Sequence, residues 1–303
     1  MSPQWARAST KIGAVAPTIT PTLGSELITN GDMETGDPPT GWVAEGGCTI
    51  SASPTAHGGS QGLSVVAVTA FLEFCGNLVN VDQWGWYALT GWGRTGVQGN
   101  AAGLALTNTH ASAHWNSPFL SATYTQRFFR GFVTQATVKA IIQPYNLFGG
   151  SAGDEAIGDD VSLKKIDHDS MFSYIGDVGR QDGTFVCHAY LPFQPNNPLS
   201  QMQCGIAFNY RDADNYMLLM ADGTEANTTV WKKINGAYTQ VLGGPTSRGA
   251  EIKVVVTGTT YKLYYQGSQY GGDQIVDEPT LGTEIHAFTS DAAATAGLIE
   301  AYP

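Results

Sequence analysis

The sequence predicts an all-β fold: two consecutive antiparallel β-sandwich domains preceded by an extended N-terminal arm. Three observations carry this. Charged residues make up only 14% of the 303 residues, whereas Gly alone numbers 37. Val, Thr and Tyr recur in short runs in which apolar and polar residues alternate, the period of a half-buried strand. Turn residues punctuate these runs, and no long stretch repeats at helical spacing. A chain of this length has room for two ordinary domains.

Residues 1–24 read as a separate arm. Ala, Thr and Pro dominate, and Pro17 and Pro21 keep the backbone extended. Such a segment is either a loose terminus or an arm that orders against a neighbouring subunit. In the second case Trp5 and Ile12 are its apolar anchors, and the protein is a homo-oligomer.

The first domain is expected over residues 25–167. Strands are predicted near 27–30, 42–52, 62–69, 71–81, 86–94, 102–108, 122–132, 135–145 and 159–166. The stretches 96–102 and 107–118 read as loops from their Gly, Asn, Ser and Pro content. The second of these carries His110, His114 and Trp115. The domain opens with Glu26-Leu-Ile-Thr-Asn-Gly-Asp-Met-Glu34, a short apolar run ending in an Asn-Gly turn. It closes with Ile157-Gly-Asp-Asp-Val-Ser-Leu-Lys164, a turn entering a strand in which Val161 and Leu163 alternate with polar residues.

These two stretches, with Gly41-Trp42, His57-Gly-Gly-Ser-Gln-Gly-Leu63 and Trp86-Tyr-Ala-Leu-Thr-Gly-Trp92 between them, form an ordered set. The set resembles the jelly-roll carbohydrate-binding modules and the related galactose-binding-like domains, with Met33 in place of the usual Phe. The resemblance implies a structural Ca²⁺ shared by the two ends of the domain. Its ligands would be the Glu34 and Asp160 side chains and the Asp32 carbonyl, with Asp159 a weaker candidate. Hard oxygen donors of this kind suit Ca²⁺. The alternative is that these acids cap turns and face water.

A pyranose ring stacks its C–H face on an aromatic side chain, so the aromatics are the candidates for glycan binding. Trp115, Trp84 and Tyr124 are the candidates retained. Trp86 and Trp92 share one strand face, and the resemblance makes Trp92 a core residue.

Residues 168–303 read as the second sandwich. Strands are expected over 184–191, 202–210, 216–220, 230–234, 238–242, 251–257 and 260–266. Asn235-Gly236 is a strong hairpin signal. Ile252, Val254 and Val256 share one face, as do Tyr261, Leu263 and Tyr265. The spacing of Arg211–Tyr216, Trp231–Gly236 and the 253–267 strand pair resembles concanavalin A-like and laminin G-like domains. Ala294–Ile299 resembles their last strand.

Composition excludes several function classes. The balance of 26 acids against 15 Lys plus Arg, a net charge of −11, argues against nucleic acid as a partner. Nowhere do eighteen apolar residues run together, so no membrane insertion by a helix is expected. The N-terminus lacks a basic segment followed by an apolar run, which predicts synthesis in a cytoplasm without a signal peptide. Cys48, Cys75, Cys187 and Cys204 fall two to a domain without CxxC spacing. One disulfide per sandwich fits this count, and buried free thiols fit a reducing cytosol.

Catalysis is not expected. Glycoside hydrolysis needs two carboxylates flanking the scissile bond, and no Glu-x-Asp-x-x-Glu strand occurs. The Gly-x-Ser-x-Gly elbow is absent. The combination of folds resembles bacteriophage virion structural proteins of capsid decoration or tail fibre type. That implies other virion proteins as partners, host-surface glycans as ligands, and location in the virion. The alternatives are a soluble or secreted carbohydrate-binding protein and a glycoside hydrolase.

Overall fold

The computed structural model describes residues 10–12, 21–69, 73–96, 102–108, 114–119, 121–144, 151–190, 203–222, 227–245, 250–289 and 295–302. Trp5 lies outside them. The described secondary structure is antiparallel strand apart from one short 3₁₀ turn, His168–Met171. The chain divides into two compact units, one built on residues 22–167 and the other on residues 168–193 and 202–303 together with residues 1–21.

In chain order the strands begin with β1 (Thr10–Ile12), β2 (Leu23–Glu26), β3 (Val43–Glu45), β4 (Thr49–Ser53), β5 (Gly62–Val66) and β6 (Phe74–Asn80). Then come β7 (Gly85–Thr95), β8 (Ala102–Asn108), β9 (His114–Phe119), β10 (Thr125–Val133), β11 (Thr137–Gln143) and β12 (Glu155–Ile166). The second unit adds β13 (Ser173–Asp177), β14 (Gly183–Tyr190), β15 (Gln203–Asp212), β16 (Asn215–Asp222), β17 (Asn227–Ile234) and β18 (Ala237–Pro245). It ends with β19 (Ala250–Thr257), β20 (Thr260–Tyr265), β21 (Ser268–Ile275), β22 (Glu284–Thr289) and β23 (Thr295–Tyr302).

The first unit is a sandwich. One sheet runs β10-β7-β12-β5-β4 with β2 on the far part of β12, and the other runs β3-β6-β11-β8-β9. Its core collects alternate residues of both sheets, among them Tyr87, Leu89, Leu104, Ile142 and Leu163. Met33, fully buried, fills the core position next to the Asn-Gly turn. Trp42 is also buried, and its ring N–H donates to the Asn30 carbonyl at 3.1 Å. The Asn30 side chain ties Thr35 and Thr40 together, which fixes the loop after the turn.

The second unit packs two six-stranded sheets, β1-β23-β14-β19-β20-β21 and β13-β22-β15-β16-β17-β18. Phe185 and Phe208 meet in its core at 4.6 Å between ring centroids. Ile252, Val254 and Val256 on β19 face inward with Tyr261 and Leu263 on β20, while Tyr265 packs from the rim. The Asn235-Gly236 turn has positive φ at both residues, 49° and 80°, as a tight hairpin twist requires. All four cysteines are buried free thiols.

Four sequence expectations need correction. The opening strand is Leu23–Glu26, paired with β12, and not 27–30. The Leu27 N–H still reaches the Leu163 carbonyl at 3.0 Å, and at Ile28 the N–H turns to the Glu26 carboxylate instead, also at 3.0 Å. The expected 107–118 loop contains β9, which pairs Trp115 with Leu106 of β8. Trp92 stands on the sheet face opposite the core, because Tyr87 and Leu89 take the inward positions. Finally, the arm is not wholly separate: Thr10–Ile12 pairs antiparallel with β23 of the same chain, Ile12 opposite Ile299.

Candidate functional site

The motifs at the two ends of the first unit meet on the segment that carries His57. Strand β12 has a bulge: Asp159 pairs with Trp92 and Ser162 with Thr90, with two residues between them against one. Asp160 occupies the left-handed region at φ 48°. Such a bulge re-aims a side chain without losing the strand. Here it keeps Val161 in the core and turns Asp160 to the His57 ring, Oδ2 to Nδ1 2.7 Å.

Three carboxylates hold residues 57–61. Asp159 is fully buried and accepts from the backbone N–H groups of His57 (2.7 Å), Gly58 (3.0 Å) and Asp160 (2.8 Å). Burial pushes its carboxyl above the ordinary value, against the pull of those donors. Glu34 accepts from the Ser60 N–H (2.7 Å), the Gln61 N–H (3.0 Å) and the Ser60 hydroxyl. The Ser60 hydroxyl, followed by the two amides, holds the Glu34 carboxyl below its ordinary range. Gly58 and Gly59 let the carboxylates approach. A Cβ on Gly58 would lie 2.9 Å from Asp160 Oδ2, and one on Gly59 would lie 2.2 Å from Glu34 Oε1.

The Asp160 and Glu34 carboxylates therefore stand against neighbouring residues of one segment. Their hard oxygens suit Ca²⁺ by chemistry. Among the described residues, however, no three His, Cys, Asp or Glu side chains gather around one point. Asp32 is exposed, and a bound cation would share Glu34 with Ser60 and Asp160 with His57.

On the outer face of the larger sheet, the His57 ring lies flat on Trp92 at 3.8 Å. Tyr124 meets His57 edge-on at 5.7 Å, and Arg94 sits over the Tyr124 ring. Tyr124 spends its hydroxyl on the Thr55 carbonyl, 2.9 Å away. Burial, then the nearby Asp159 charge, pushes that phenol up to about 12. Tyr124 is thus a structural member of the cluster.

The register continues this face across three strands. Gln126 pairs with Trp92, Phe128 with Thr90, and Arg130 with Ala88. On the other side Ser162 pairs with Thr90 and Lys164 with Ala88. Phe128 is an exposed aromatic on the edge strand of this face, at 37%. Sequence reasoning missed it; it stands five residues from Val133, an inward residue of the same strand, and so on the opposite face. Of the sequence candidates, Trp84 is half-buried against Phe132 at 6.4 Å, on the same face but away from Phe128. The side chain of Trp115 lies outside the described ones. The structure therefore brings Glu34, Asp160 and Tyr124 to one region and leaves Trp84 apart from it.

The sequence matches no protein-family model and no curated protein. Solved structures do show similarity. The CBM22-1 xylan-binding domain of Paenibacillus barcinonensis Xyn10C is 12% identical, with a TM-score of 0.38. That match covers 50% of this chain and 98% of that one. TmCBM61, solved with β-1,4-galactotriose, is 16% identical at a TM-score of 0.37, covering 47% and 99%. The enzymatically active domain of bacteriophage CBA120 tailspike protein 4 is 10% identical at 0.37, covering 46% of this chain and 21% of that one.

Proposed function

We propose that this chain is a non-catalytic, lectin-like protein. It binds glycan on the outer face of the larger sheet of its first unit and serves as a structural component of a bacteriophage virion. The observation that carries the glycan reading is the exposed Phe128 ring in register with Thr90 and Ser162 and beside Gln126. An apolar ring bordered by hydroxyls and an amide is the chemistry a pyranose demands, with its C–H face on the ring and its hydroxyls on the polar neighbours. The resemblance in the Glu26–Glu34 and Ile157–Lys164 stretches supports the same reading. The two six-stranded sheets of the second unit support a lectin-type architecture for that half.

Phe128→Ala should lower glycan affinity about tenfold, the loss of one stacking contact of about 1.4 kcal/mol. Thermal stability should fall by only about 1 kcal/mol, because the ring is 37% exposed and what it chiefly loses is the contact with the Arg130 guanidinium above it. Glycan-array binding followed by titration calorimetry reads this directly. Full affinity in the variant would move the site elsewhere.

The virion role is tested by mass spectrometry of purified particles against cleared culture fluid. Fixed stoichiometry with capsid or tail proteins is expected. Recovery only as free protein in the fluid would leave a soluble carbohydrate-binding protein.

We also propose that Glu34 and Asp160 hold Ca²⁺. Saturating Ca²⁺ should then stabilise the chain by about 3 kcal/mol at a hundredfold excess over Kd, and a chelator should reverse it. A melting temperature indifferent to both, in the native chain and in Glu34→Gln alike, would show that the carboxylates serve only residues 57–61.

A further inference from the structure

We propose that the second unit carries a glycan-binding site of its own, on the outer face of its sheet at β13, which takes neutral pyranosides through a pair of neighbouring hydroxyls. It shares no residue with the site proposed on the first unit. Tyr174 carries the argument. It stands on β13, the edge strand of the sheet, and is 59% exposed. Its ring meets that of His286 on β22, its direct register partner. The two rings stand at 79° with their centroids 5.4 Å apart. At least one face of the Tyr174 ring is therefore covered by neither ring nor cation among the described residues.

The local sequence sets this placement. Ile285 and Ala287 point into the core, so Glu284 and His286 face outward. Strand β13 has a bulge: Tyr174 pairs with His286 and Gly176 with Ile285, two steps against one. The extra residue brings Asp177 opposite Glu284, onto the face of Tyr174. Gly176 adds no side chain between them, and a Cβ there would meet nothing within 4 Å.

The polar half of the site is fixed through His286. Its Nε2 lies 3.0 Å from Glu284 Oε2, and its ring packs on the buried Tyr210 at 4.0 Å. The imidazole thus positions both the Tyr174 ring and the Glu284 carboxylate. Among the described residues no donor other than His286 reaches that carboxylate. Its open lone pairs suit two hydroxyls on one edge of a sugar whose C–H face lies on the ring. Asp177 accepts the Gly179 N–H at 2.8 Å and the Thr283 hydroxyl, and adds a second negative charge. No Lys or Arg among the described residues pairs with either acid. Two such carboxylates repel a carboxylated or sulfated sugar, which leaves neutral rings as the ligand class.

The test is affinity electrophoresis of the full chain in native gels containing dextran, arabinogalactan, xylan or mixed-linkage β-glucan. All variants are made in the Phe128→Ala background, which weakens the site of the first unit. Retardation by at least one polymer should persist in Phe128→Ala, and its affinity should fall about tenfold on adding Tyr174→Ala. Tyr174→Phe, which keeps the ring, should retain binding, and Glu284→Gln should weaken it several-fold. Each variant should melt with its parent, because both side chains lie at the surface. Periodate, which cleaves the polymer between neighbouring hydroxyl-bearing carbons, should abolish retardation, and a carboxymethylated form of the same polymer should retard less. Retardation unchanged by Tyr174→Ala and Glu284→Gln, or none with any of these polymers, would overturn the inference. The site of the first unit is judged separately, by the difference between the parent chain and Phe128→Ala.

Discussion

Asp159→Ala is expected to destabilise the first unit by about 3 kcal/mol and to release residues 57–61. The carboxylate is wholly enclosed and is the common acceptor for three backbone N–H groups, those of His57, Gly58 and Asp160. Each buried donor left without a partner costs about 1–3 kcal/mol, offset in part by removing a buried charge. The consequence reaches the outer face. His57 stacks on Trp92 only while its backbone is anchored, so losing the anchor uncovers the indole. Asp159→Asn should fall between the two, because its amide must turn one N–H towards donors. Hydrogen exchange at 57–61 and thermal unfolding are the readouts. Unchanged protection at His57 and Gly58 in the Ala variant would refute the anchoring role.

The same residue gives a pH dependence of definite sign. Burial raises the folded carboxyl above its ordinary 3.8. From that value upward the unfolded chain gives up its proton more readily than the folded one, so this group's contribution to stability falls with rising pH until the folded carboxyl has ionised. Glu34 acts in the opposite sense. Its folded carboxyl lies below 4.5, so its contribution is present above that value and fades as pH drops through the lowered one.

Much of the fold was legible because one face of each strand is buried and the other is not. The β19 and β20 faces follow from alternation alone, and Asn235-Gly236 marks its own turn by positive φ. Two kinds of feature were hidden. On β7 both parities are apolar or small, Trp86, Ala88 and Trp92 against Tyr87, Leu89 and Gly91, so the pattern does not say which set faces the core. Strands interrupted by turn-forming residues, such as β9 with its Asn116-Ser117-Pro118 and the exposed edge strand β21 with its Gly271-Gly272, exist through pairing with β8 and β20, which local composition does not report. The candidate site combines both difficulties. Glu34, Asp159 and Asp160 stood out as polar residues in turn motifs. Phe128, Arg130 and Lys164 become neighbours only through the β10-β7-β12 register, and nothing within any one strand announces it.

Gly205→Ala should lower the melting temperature of the second unit by about 10 °C, for a cost of about 3 kcal/mol. A Cβ at this position would lie 2.0 Å from the Leu219 carbonyl oxygen and 3.1 Å from the Met220 Cα. Both are backbone atoms of β16, the strand to which β15 is hydrogen-bonded with Gly205 opposite Met220. No rotamer change relieves a clash with backbone; one strand must move. The neighbours Cys204, Ile206 and Leu219 are core residues of the same unit, so displacement of either strand opens the packing between the two sheets. Hydrogen exchange should therefore rise along Gln203–Asp222 while the β7 and β12 amides of the first unit keep their protection. An Ala variant that melts with the parent chain would mean that β15 and β16 lie further apart at Gly205 than this register places them.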